Sequence, residues 1–170
     1  MKLLVLLNEN PAGAHDDVHR AIDNCYGKGI ITDKLIYPFL AILAEGKKEK
    51  EVLNEIIEIS KNYQPDLILW MHTEKFKISK NAINELKGLN SRPLMGYWEG
   101  DLYQSPYRPA PEELLTLSSA CDVVFAQGFG EMTEKIKAKG CDDIRFVPAF
   151  GDDKKFYPVK NVNKKEFDIV

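Results

Sequence analysis

Short apolar runs without polar alternation recur along the chain, and segments of helical spacing separate them. Lys2 to Leu7 opens the series, bounded by Asn8-Glu9-Asn10-Pro11, and predicts a strand buried on both faces. Pro11 and Gly13 break the chain before a first helix, in which Val18, Ala21, Ile22 and Cys25 share a face and Gly27 and Gly29 close the end. Asp16 and Asp17 stand where an N-cap and first-turn acids belong. Lys34 to Phe39 reads as a strand interrupted by Pro38, which favours an edge, while Leu40 to Ala44 reads equally as a helical turn. Glu49 to Tyr63 is the clearest helix: Val52, Leu53, Ile56, Ile57 and Ile59 form its stripe, and Pro65 ends it.

The same alternation continues downstream. Strands are expected at Asp66 to Met71, Pro93 to Trp98, Asp122 to Ala126 and Ile144 to Val147. Helices fall between them: one capped by Ser79 and carrying Ile83 and Leu86, one with Pro111 in its first turn and Leu114, Leu115 and Leu117 inside, and one from Glu131 to Lys139 closed by Gly140. Strand–helix alternation with unbroken apolar strands predicts an α/β, Rossmann-like three-layer domain with a mostly parallel sheet covered on both faces. Residues 1–159 form that domain in this reading. Lys160 to Glu166 is polar and linker-like, and Phe167-Asp168-Ile169-Val170 resembles the first strand of a second domain, or alternatively an edge strand folding back.

Composition narrows the classes. The 170 residues carry a net charge of −3, which gives no reason to expect nucleic acid. The first apolar run is too short for a signal peptide, and no stretch approaches a membrane span, so a cytoplasmic location is expected. Cys25, Cys121 and Cys141 match no zinc spacing and read as buried or half-buried thiols, and three scattered histidines speak against a metal site. The dinucleotide fingerprint, the Walker loop and the nucleophile elbow are all absent.

In an open parallel sheet, ligands bind beyond the carboxyl ends of the strands. The residues there are Asn8, Glu9 and Gly13; His72, Thr73 and Glu74; Glu99, Gly100 and Asp101; Gln127, Gly128 and Phe129; and Ala149, Phe150, Gly151 and Asp152. Carboxylates and amides in such a crescent suit hydroxyl-rich ligands, and Trp98 or Phe150 can stack on a sugar face. Strand ends become loops, however, and loops are polar without any function. His72 is the most informative residue, since an imidazole at a strand end can act as a base. Glu99 and Asp101 are candidate bases as well, although Glu-Gly-Asp is also turn chemistry. His15 can reach the crevice, whereas His19 belongs on a solvated helix face.

From about Gln64 onward the order of segments resembles the N-terminal domain of a two-domain GT-B glycosyltransferase, with greatest similarity to the spore-maturation-protein-like group. The residues that carry the resemblance are Pro65-Asp66-Leu67-Ile68-Leu69, then Leu94 to Asp101, then Ala120 to Ala126, then Ile144 to Asp152 leading to Phe156-Tyr157-Pro158. It implies that this half binds a carbohydrate or glycoconjugate acceptor. A C-terminal half would bind most of the nucleotide-sugar donor, with no cofactor and no metal required. Phe167 to Val170 matches the opening strand of that second half. The resemblance gives His72 and Asp101 catalytic places and puts Gln127 and Gly128 in the acceptor loop. With the strand-end reading, the acceptor-binding set is Asn8, Gly13, His15, Glu74, Trp98, Glu99, Gln127, Gly128, Phe150 and Asp152. The first loop departs from the family pattern, because Gly13 stands without a second glycine. Two other functions fit the same pattern: a stand-alone flavodoxin-like domain binding a small ligand or protein, and one half of a sugar-nucleotide epimerase.

Overall fold

A computed structural model describes residues 1–9 and 15–148. Six strands form one all-parallel sheet in the order β2-β1-β3-β4-β5-β6. They are β1 (Lys2–Leu7), β2 (Asp33–Tyr37), β3 (Leu67–Met71), β4 (Leu94–Glu99), β5 (Val123–Ala126) and β6 (Ile144–Phe146). The helices are α1 (Asp16–Gly27), α2 (Phe39–Ala44), α3 (Glu49–Tyr63), α4 (Lys80–Lys87), α5 (Glu112–Ala120) and α6 (Glu131–Lys139). The Rossmann-like α/β architecture expected from the sequence is thus present. The ambiguous stretch after Thr32 holds both alternatives: β2 is an edge strand, Pro38 ends it, and α2 follows at once.

The three layers are unequal. Alternate strand residues Leu4, Leu6, Ile68, Trp70, Met95, Tyr97 and Val124 face one way, into a core completed by Phe39, Val52, Ile56, Leu86, Leu114 and Ile136 from α2 to α6. Phe39, Trp70 and Phe76 pack there as a ring cluster with centroids 5.1–6.4 Å apart. The opposite face carries Leu3, Val5, Leu7, Leu67, Leu69, Met71 and Trp98, and the helix packed on it is α1, through Val18, Ile22 and Cys25. Farther across that face, Val123 and Phe125 of β5 are only half-buried.

Two details of the helix starts differ from the sequence reading. Asp16 is the first residue of α1, so His15 holds the N-cap position, with no side-chain cap. The Glu9 carboxylate at the end of β1 accepts the His15 amide at 3.0 Å and serves that end of the helix instead. Pro111 likewise precedes α5 as its N-cap, one residue earlier than expected. Ser79 caps α4 as expected, accepting the Ala82 amide at 3.2 Å.

The amino ends of the strands are sealed by aspartates. Asp66, just before β3, accepts the Lys2 amide of β1 at 2.7 Å. Asp122, just before β5, accepts the Met95 amide of β4, also at 2.7 Å. Each carboxylate pairs a strand's first free N–H and pins its register to the neighbour. Cys121 and Cys141 are buried and Cys25 half-buried, all as free thiols. No helix among the described residues is long and apolar enough to cross a membrane.

Candidate functional site

The strand order reverses at β1: the chain moves outward to β2, then crosses back to β3 and continues to β6. The carboxyl ends of β1 and β3 therefore flank a topological switch point. The sequence-predicted residues around it fall into two groups, on opposite sides of the sheet.

The first group is a hydrogen-bonded network built on β3 and β4. Their register pairs Met71 with Trp98, which brings the next residues, His72 and Glu99, side by side. The His72 amide donates to the Trp98 carbonyl at 2.9 Å. His72 and Glu74 both hold left-handed backbone, with φ of 47° and 50°. For residues with a Cβ this conformation costs about 1–2 kcal/mol each. It turns the imidazole across the strand end, where Nδ1 lies 2.5 Å from Glu99 Oε1.

Glu99 has no solvent exposure at all. It is the last residue of β4 and faces the main core, so it lies behind His72 and not in a surface turn. The Tyr97 hydroxyl donates to its Oε2 at 3.1 Å, and the Asp101 amide donates to its Oε1 at 2.9 Å. Burial, and then the Glu99 charge, push Tyr97 well above the usual phenol range, so it stays a proton donor. The Thr73 amide in turn donates to the Tyr97 oxygen at 3.1 Å. The buried carboxylate is therefore partnered on both oxygens, as a buried charge requires.

The other side of His72 faces solvent. Nε2 lies 3.3 Å from Glu74 Oε1 and 3.5 Å from Asp101 Oδ2. Arg108 pairs with Asp101 and lies over the Tyr103 ring, 4.9 Å from its centroid. The bond to Glu99 raises the His72 pKa above its ordinary value; burial opposes this, and the charges of Glu99, Asp101 and Glu74 add to the rise. A segment reaching across to α6 supports Arg108: the amide and hydroxyl of Ser105 both donate to the Glu131 carboxylate, at 2.7 and 2.9 Å. Those bonds and Lys135 pull Glu131 down to about 2, with Lys135 contributing most.

His72, Glu99 and Asp101 also bring potential metal-ligating atoms within 4.8 Å of one another. Glu99 is already committed to Nδ1 and Asp101 to Arg108, so the donors fit a histidine–carboxylate pair better than a cation.

The second group lines a crevice of about 450 Å³ between α1 and the sheet. Asn8, His15, Trp98 and Gln127 meet there with Leu7, Val18, Ile22, Leu69, Met71, Phe125 and Val147. Trp98 is half-buried, with its indole against Gly100; a Cβ there would fall 2.7 Å from the ring. Gly128 admits the Leu102 side chain in the same way, at 2.7 Å. His19, on the partly solvated helix face expected for it, also reaches back to Glu9, with Nε2 3.0 Å from Oε1. Gly13, Phe150 and Asp152, together with the linker and final strand expected from 160 to 170, lie outside the described residues.

Sequence reasoning picked out His72, Thr73, Glu74, Glu99 and Asp101 but missed Tyr97 and Arg108. Tyr97 was within reach, because a residue two before a strand-end carboxylate shares its face. Arg108 carried no such signal. No protein-family model matches the chain, and no curated protein matches it at a significant level.

Proposed function

We propose that this chain is the acceptor-side half of a glycosyltransferase that moves a sugar from a nucleotide-sugar donor to a carbohydrate or glycoconjugate acceptor. The donor would be bound mainly by a second domain. The observation that carries the reading is the His72–Glu99 pair at the carboxyl ends of β3 and β4, with the imidazole anchored through Nδ1 and its Nε2 turned to the rim beside the Glu74 and Asp101 carboxylates. Transfer needs a group that takes the acceptor's hydroxyl proton as its oxygen bonds to the sugar's anomeric carbon. The bond from that carbon to the diphosphate breaks, and its electrons leave with the diphosphate. In this reading Nε2 receives the proton, Glu99 steadies the imidazolium so formed, and Asp101 orients the hydroxyl.

The raised pKa of His72 sets a sign for the pH dependence. A base works only unprotonated, so turnover rises with pH through that pKa. In the full-length protein, assayed with nucleotide sugars, His72→Asn is expected to cut turnover by about 10²–10⁴ while leaving donor affinity unchanged. Unchanged turnover in both His72→Asn and Asp101→Asn refutes the assignment. Product analysis with labelled donor separates glycoside formation from epimerisation.

A second reading, a flavodoxin-like domain that binds a small ligand, draws on the crevice at the switch point. It predicts ligand binding that is indifferent to His72.

A further inference from the structure

We propose that the crevice between α1 and the sheet binds an uncharged, ring-bearing alcohol, aryl or alicyclic, by its apolar rings. As a statement about the acceptor this rests on the glycosyltransferase reading and narrows it from a carbohydrate to a conjugate whose ring-bearing aglycone the crevice holds; as a statement about the crevice it does not rest on it. At about 450 Å³ the cavity is of small-molecule size, and it sits at the switch point. Leu69, Met71, Trp98 and Phe125 form its floor, and Val18 and Ala21 of α1 form its wall. Gly100 lets the Trp98 indole lie close against the chain, which gives a flat platform for a ring.

The described lining also favours this class over two others. A free sugar could lay its apolar face on Trp98, but its rim hydroxyls turned to Leu69 and Phe125 would lose water without gaining a partner. A nucleotide's phosphates need cations or free amides. The described lining residues include no lysine or arginine, and Asp17 stands among them. The entry to α1 offers an anion little, because Glu9 already takes the His15 amide and Asp16 and Asp17 fill the first turn.

The crevice and the imidazole share the same two strand ends. Met71 and Trp98 lie in the floor, and His72 and Glu99 are the residues that follow them. His72 itself lines a separate, smaller pocket of about 160 Å³ on the α2 side, with Phe39, Leu40 and Phe76, so a ring held on Trp98 has to reach around the strand ends to meet it.

The test is titration of the full-length protein with 4-methylumbelliferone, with cellobiose and with UDP-glucose, read by calorimetry and by Trp98 fluorescence. Saturable binding of 4-methylumbelliferone is expected, with cellobiose inert at this crevice. Ala21→Trp fills the crevice from an exposed helix position and should weaken that binding by about tenfold or more without moving the melting temperature. Phe125→Asp should weaken the binding likewise from the floor, with some loss of stability as well. Binding unaffected by Ala21→Trp, or cellobiose binding that Ala21→Trp abolishes, overturns the proposal. Umbelliferone binding that Ala21→Trp blocks, with no glycoside formed from any donor, upholds the crevice and sinks the transferase reading instead.

Discussion

The two sides of the sheet meet at the same strand ends and solve opposite problems. On the side of α2 to α6, Glu99 is a charge with no access to water, and the chain surrounds it with His72, Tyr97 and the Asp101 amide. On the side of α1, Trp98 and Phe125 are apolar groups that keep partial access to water. The first arrangement fixes one imidazole in one orientation at a high price in desolvation. The second leaves apolar area available to something else. Chemistry that needs a precise proton acceptor belongs on the first side, and recognition that tolerates shape belongs on the second.

That contrast can be broken by mutation. Trp70→Ala on the packed side should cost about 3–5 kcal/mol, because the ring cluster with Phe39 and Phe76 cannot collapse around the void. Equilibrium urea unfolding measures this, and a loss below about 1 kcal/mol would mean that the packed side is loose. Glu99→Leu should cost about 2–4 kcal/mol, since it strands the Tyr97 hydroxyl and His72 Nδ1 without their acceptor. Adding Tyr97→Phe removes the stranded hydroxyl but also the acceptor of the Thr73 amide, so a double-mutant cycle should show coupling with little net recovery. On the open side, Phe125→Ala should cost only about 1 kcal/mol, because less of its surface leaves water on folding. If it costs as much as Trp70→Ala, the two sides do not differ.

The smallest effect is a titration. His72 should ionise above its ordinary 6.5, followed by NMR of the imidazole. A raised folded pKa means that the folded state holds the proton more tightly than the unfolded chain. The stability linked to His72 is then complete below about 6.5 and is lost as pH rises through the raised value. Glu99→Gln should bring the titration back down, since the bond to Glu99 is the largest cause of the shift. No change in that variant would mean that Asp101 and Glu74 hold the proton.

What was legible in the sequence follows the range of the interactions. The α3 helix was readable to the residue, because an apolar stripe and a following proline are local signals. So was the Ser79 cap, which acts across three residues. The list of strand ends was readable too, but not its division between two sides of the sheet. His72 and Glu99 are 27 residues apart and meet only because β3 and β4 are neighbours in one register, which no periodicity encodes. Glu-Gly-Asp was misleading for a related reason: the turn preference of the tripeptide is real, but β4 extends one residue further and draws Glu99 into the core. The edge position of β2 was legible through Pro38, since a proline spoils a ladder wherever it stands.

The aspartates at the opposite rim have a practical consequence. Asp66 and Asp122 fix strand register from the amino ends, far from any candidate chemistry. Residues 104–107, all exposed, can be exchanged for a loop of different length or charge without asking the strands to re-register, provided that Asp101 and the buried Tyr103 are kept. A scaffold whose alignment is set at one rim lends itself to loop grafting at the other, with Asp66 and Asp122 as the positions to leave untouched.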